Sequence, residues 1–170
     1  MMLDVGCGHN ARGDVNVDLF PRATDHRSKD QSKCVDLDLD LVKINNFIVA
    51  EASHLPFKDR SFDKVICYHM IEHTDAQKTF SELVRVSKKY IEIKCPTKWG
   101  DLFGDGLFKR RKKLLRHTLY IDKDWLRTES RKHPVIEVNC VYSYWIYFPH
   151  FAIPLLRFPS EILYELRRYD

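Results

Sequence analysis

Two glycines flank a cysteine in LDVGCGHN, where Gly6, Cys7 and Gly8 follow the short apolar run of Leu3, Asp4 and Val5. A strand that ends in a glycine turn lets a ligand approach its backbone, because glycine places no Cβ in the way. A second short run, Asn16, Val17, Asp18 and Leu19, closes around another acid. A glycine turn after one strand and a carboxylate after the next is the arrangement that holds a nucleoside ribose in doubly wound α/β folds. A buried carboxylate needs donors, and a ribose diol supplies two. The competing reading makes Asp18 a strand-end cap and leaves the glycines to a tight turn.

A second chemical cluster reads HMIEH, from His69 to His73. It fits the H-x-x-E-H pattern of inverted zinc peptidases, whose chemistry needs both histidines on one helical face. Here the motif starts where a strand over residues 62–68 ends. The next helix is capped only afterwards, by Thr74 and Gln77 in a capping box. The histidines then share no helical face, and no metal ligand is assigned. The turn still lies where open α/β sheets place their substrates, at the carboxyl end of a strand. The alternating acids of residues 36–40 (DLDLD) read as a solvated loop or edge strand, because calcium-loop spacing is missing.

Composition narrows the class. The chain has 170 residues, 44% hydrophobic and 31% charged, which suits a soluble globular domain with a core of its own. A formal net charge of +4 does not by itself call for nucleic acid. The five cysteines, Cys7, Cys34, Cys67, Cys95 and Cys140, form no CxxC pair, so neither a disulfide framework nor a structural zinc site is expected. No signal peptide is read at the start, where Asp4 interrupts the apolar run, and a cytoplasmic location is expected.

The elements that must position these residues are β-prone runs over 1–5, 15–19, 47–50, 62–68 and 90–95. Between the last two, Phe80, Leu83, Val84 and Val86 recur at helical spacing, which implies a right-handed crossover and a parallel sheet. Only residues 8–15 separate the first two strands, too few for a crossover helix. A short helix is expected from Asp122, with Trp125 and Leu126 turned inward. Residues 135–147 read as late antiparallel strands, and 160–169 as a terminal amphipathic helix. Pro149, Pro154 and Pro159 punctuate an aromatic stretch too broken to span a bilayer. The expected architecture is a single α/β, Rossmann-like domain over 1–170, with a cofactor half to about residue 95 and a substrate-side half after it.

Taken in order, LDVGCGHN, NVDLF and AEASHLPFKDRSFDKVICYHMIEHT resemble the class I S-adenosylmethionine-dependent methyltransferases, in particular their small type 11 branch. The resemblance covers about the first 95 residues; beyond Cys95 it is only architectural. It implies that Asp4, Gly6 and Gly8 line the methionine end of the cofactor and that Asp18 accepts from the ribose hydroxyls. Glu51 stands where the family has an aspartate near the adenine, with Ala52, His54 and Leu55 alongside. Cys7, Leu19 and Tyr68 complete the implied cofactor contacts. The implied activity is methyl transfer to a small-molecule acceptor. If that acceptor is a hydroxyl, His69 is the first candidate for proton removal and His73 the second. Because the chain opens on its first strand, the segment that often covers the cofactor or substrate is expected to be missing, and the missing first helix is expected to leave one face of the sheet thin.

One further segment bears on partners. FKRRKKLLR, residues 108–116, holds six cations, including Lys109, Arg110, Arg111, Lys112 and Lys113. A run of this kind usually serves as a solvated face; an anionic substrate or RNA is the second reading. The alternative function is accordingly a noncatalytic cofactor-binding or RNA-binding subunit.

Overall fold

The computed structural model describes residues 1–21, 40–98, 121–146 and 157–170. Strands β1 (Met2–Val5), β2 (Val15–Asp18), β3 (Phe47–Val49), β4 (Phe62–Tyr68), β5 (Ser87–Pro96), β6 (Val135–Ile146) and β7 (Arg157–Arg168) form one sheet in the order β3-β2-β1-β4-β5-β7-β6. The first five run parallel, whereas β7 lies antiparallel between β5 and β6. Helices α1 (Ala76–Val86) and α2 (Lys123–Ser130) complete the regular structure of the described residues, with short 3-10 turns at Leu41–Lys43 and Ile71–His73.

Register explains the core. Ile48, Val17, Val5, Cys67, Ile93, Tyr164 and Cys140 are neighbours in one row across all seven strands. Successive side chains alternate between faces, so this row and its neighbours, Leu3, Val65, Ile91, Ile162 and Leu166, share one apolar face. They join Phe80, Leu83 and Val84 of α1 and Leu126 of α2 in a single buried cluster. Phe80 meets Trp125 edge-on at 6.1 Å, which ties the two helices together over that face. Each fully buried aliphatic or aromatic side chain here is worth about 1.5–3 kcal/mol.

The other face is built differently. Its central row reads Phe47, Asn16, Asp4, Ile66, Glu92, Glu165 and Asn139. Among the described residues, the loop of residues 6–14 folds back over part of it. Asp4 Oδ2 accepts from the Arg12 N–H at 2.9 Å, and Asn16 accepts from the Gly13 N–H at 2.9 Å while donating to the Gly13 carbonyl at 3.0 Å. A Cβ on Gly13 would lie 2.4 Å from the Val15 carbonyl oxygen, so only glycine fits this return. Parallel neighbours usually need a crossover of a dozen or more residues. Here two buried polar side chains satisfy the backbone that such a helix would have satisfied internally.

Three expectations need correction. The N-cap of α1 is Asp75, which accepts from the Lys78 N–H at 3.3 Å, rather than Thr74 with Gln77. The Thr74 hydroxyl instead donates to the Ile71 carbonyl of the preceding turn. Residues 160–169 are not a helix but most of β7. Ser160, Ile162, Tyr164 and Leu166 are its buried positions, a period of two that pairing with β5 and β6 enforces against the helical preference of Glu, Leu and Arg. Strand β5 begins at Ser87, immediately after α1, earlier than expected. Cys34, the acids at 36–39, the basic run with Lys109 to Lys113, Pro149 and Pro154 lie outside the described residues. Among those described, no helix is long and apolar enough to cross a membrane.

Candidate cofactor and acceptor site

The carboxyl ends of β1, β2 and β4 meet at the glycine turn. The Gly6 and Cys7 N–H groups donate to the Val17 carbonyl at 2.8 and 3.1 Å, which locks the turn to β2. Gly6 and Gly8 adopt φ of +75° and +51°, a region that favours glycine. They have different neighbours. A Cβ on Gly6 would come within 2.4 Å of the Met70 side chain, so its bare Cα is needed for packing. Among the described residues a Cβ on Gly8 would meet nothing within 4 Å beyond its chain neighbours, so there Gly8 faces open space.

Asp18 closes β2, and 4% of it is exposed. Its Oδ2 accepts from the Gly8 N–H at 2.9 Å and its Oδ1 from the Phe20 N–H at 3.2 Å, so it does cap its own turn. Asp4 is 1% exposed, and its pKa is raised, chiefly by burial, against the opposing pull of the Arg12 N–H and the Arg12 charge. Burial first, then Asp18 and Asp4, push the Cys7 thiol up to about 12. A thiol held protonated is no nucleophile. Leu19 is exposed beside this cluster.

Beyond β3, Glu51 and His54 stand in solvent, with side chains 61% and 74% exposed. Glu51 is steadied by the Ser53 hydroxyl at 2.5 Å, and Ser53 also contacts His54 Nδ1 at 3.0 Å. Ala52 and Leu55 are buried. Helix α1 fixes this segment from beneath. Glu82 accepts from the Leu55 N–H at 2.7 Å, and Arg85 donates to the carbonyls of Leu55 and Phe57 at 2.9 and 2.7 Å. The carboxylate of Glu82 titrates below its ordinary range, mainly because Arg85 donates to it.

After β4 the chain turns at His69, whose φ of +53° is a left-handed conformation. His69 Nε2 lies 3.1 Å from Glu161 of β7, and Lys94 Nζ is 2.6 Å from the other oxygen of the same carboxylate. His73, in the Ile71–His73 turn, has its Nε2 4.0 Å from the buried Glu72. The two histidines thus answer to different carboxylates. Among the described residues no group of His, Cys, Asp and Glu could hold a metal ion. Tyr68, the last residue of β4, donates its hydroxyl to Glu92 and offers its ring to the Arg12 guanidinium, 5.2 Å from the centroid.

The sequence spacing alone names the glycine turn and the acids, and the fold brings Asp4, Gly6, Cys7, Gly8, Asp18 and Tyr68 to one edge of the sheet. It does not name Arg12, Ser53, Glu82, Arg85 or Glu161. Ser53 and the i, i+3 pair of Glu82 and Arg85 are local signals that a reading for capping and turns would find. Arg12 and Glu161 act across elements and leave no local trace.

Comparison with known proteins identifies the family and the fold. The family profile described as a methyltransferase domain matches residues 3–90, more than half of the chain. An uncharacterised protein of Methanocaldococcus jannaschii is 32% identical over 92 residues, covering 52% of this chain and 36% of that protein. The match therefore spans about a third of that relative's length. Among solved structures, an S-adenosylmethionine-dependent methyltransferase of Thermotoga maritima, described as a possible histamine N-methyltransferase, superposes with a TM-score of 0.65 at 14% identity, over 99% of this chain and 82% of that one. Magnesium protoporphyrin IX methyltransferase of Synechocystis, solved with bound S-adenosylmethionine, superposes with a TM-score of 0.56 at 13% identity, over 99% and 69%. By its matching profile and its fold, the chain belongs to the class I S-adenosylmethionine-dependent methyltransferases, in their type 11 branch.

Proposed function

We propose that this chain binds S-adenosylmethionine at the carboxyl ends of β1, β2 and β4 and transfers its methyl group to a small-molecule acceptor beside the turn after β4. The observation that carries the reading is the space in front of Gly8, next to the Asp18 carboxylate that its N–H orients. A nucleoside fits such a place: its ribose hydroxyls are donors, and Asp18 is a fixed acceptor. Asp4 and Asp18 together set a negative floor for a cationic group. Glu51, held by Ser53, is the acceptor offered to the adenine amino group, and Ala52 and Leu55 give that end an apolar wall. His54 and Leu19 flank it, and Cys7 packs beneath. The whole chain, 1–170, would act as one methyltransferase domain, with the cofactor held by its first half.

S-adenosylmethionine supplies a methyl group already activated on a sulfonium. The protein's own residues then have to align the acceptor and exclude water. If the acceptor is a hydroxyl, His69, which lies against Glu161, is the first candidate to take its proton, and His73 is the second.

Calorimetry with S-adenosylhomocysteine tests the binding step. The wild-type protein should release heat on titration, and Asp18→Ala should lose about 1–3 kcal/mol of binding free energy with its charge-assisted hydrogen bonds. A folded sample that takes up neither the cofactor nor its demethylated product removes the reading.

A further inference from the structure

Arg12 stands out on the face that carries no described helix. Its backbone N–H is spent on Asp4, but its side chain is exposed and is held by contacts of its own. Those contacts form a chain across three elements. Lys64 of β4 pairs with Glu92 of β5 at 2.5 Å, Glu92 accepts from the Tyr68 hydroxyl, and the Tyr68 ring takes the Arg12 guanidinium on its face. An exposed arginine on a flexible loop would ordinarily sample many rotamers; an anchored aromatic platform removes much of that freedom. The guanidinium is thereby set at the end of β4, next to the glycine turn, with its charge acting on Asp4, which in turn lies in the field of Asp18. An acidic floor with one positioned fork-shaped cation beside it matches a zwitterion, with cationic groups over the acids and a carboxylate on the arginine.

We infer that Arg12, steadied by Tyr68, is the anchor for the carboxylate of the cofactor's methionine end. This rests on the cofactor reading above and adds to it the residue that tells the amino-acid tail from a bare nucleoside. The loop of residues 6–14 would then serve twice, satisfying Asp4 and Asn16 with its backbone and the ligand's carboxylate with its one arginine.

The test compares two ligands by calorimetry. S-adenosylhomocysteine carries the amino-acid tail; methylthioadenosine shares its adenosine and thioether but lacks the tail. Arg12→Gln should weaken S-adenosylhomocysteine about tenfold or more and leave methylthioadenosine within about twofold of wild type. Arg12→Lys should fall between, because an ammonium keeps the charge and loses the fork. Tyr68→Leu should give a smaller loss confined to the same ligand. Neither Arg12 variant alters the Arg12 N–H that closes the loop, and an unchanged thermal melt checks that the fold is intact. Equal loss for both ligands, or no loss for either, overturns the assignment. A wild-type protein that binds neither ligand overturns the cofactor reading instead.

Discussion

The two faces of the sheet are stabilised by different physics. One is an unbroken apolar row under α1 and α2, running from Ile48 to Cys140. The other has acids, lysines and amides in its central rows, covered in part by a nine-residue return whose backbone Asp4 and Asn16 satisfy. The lesson is a division of labour. Burial on the helical face holds the strands in place, and the opposite face and the carboxyl edge carry buried polar groups that hydrogen bonds must satisfy. Ion pairs such as Lys64 with Glu92 and Lys94 with Glu161 stabilise such a face only modestly. Their use is to fix Tyr68 and His69.

Substitutions of one residue type on opposite faces put this to the test. Ile93 sits at the centre of the apolar row with no exposed surface. Ile93→Ala should cost about 2–5 kcal/mol in urea unfolding, and a loss below 1 kcal/mol would mean that the helical face is not the main source of stability.

A middle effect belongs to Glu82, through which the helical layer grips the segment holding Leu55. Glu82→Gln should cost about 1.5 kcal/mol at neutral pH, from its charge-assisted bonds to Arg85 and to the Leu55 N–H. Its carboxylate titrates lower in the folded protein than the ordinary 4.5, so its contribution is complete above that value. That contribution disappears as pH falls through the lower folded value. The gap between wild type and Glu82→Gln should therefore close on acidification, and a gap that widened in acid would contradict the pairing.

Ile136, 51% exposed on the polar face, should give the smallest effect. Ile136→Ala should change stability by no more than about 0.5 kcal/mol. A larger loss in the same denaturation experiment would reveal cover on that face and blur the contrast.

Much of the apolar face is legible in the sequence, because Phe62 to Tyr68 alternates and Phe80, Leu83 and Val84 recur at helical spacing. The glycine turn and Asp18 are equally legible, since a positive φ and a strand-end acid both write themselves into residue type. The tail is not. Glu161 to Arg168 has good helix formers on a pattern that also satisfies a period of two, and only its two neighbouring strands decide between them. Arg12 is hidden for a related reason: its meaning comes from a ring 56 positions away, which no local spacing encodes. Gly6 shows a subtler limit. Residue type announces a bare Cα there, but only the fold says that Met70, and not a ligand, occupies the space.

The position of β7 also bears on how the chain is made. It is the last of the seven described strands in chain order, yet it is wedged between β5 and β6. Until residues 157–168 emerge, β6 has no neighbour to pair with and β5 keeps a bare edge. During that interval Val138 and Val141, already on an outermost strand, are offered to any passing chain. Synthesis from the amino end can complete the parallel strands β1 to β5 early, but it leaves this sheet unsealed until residues 157–168 arrive.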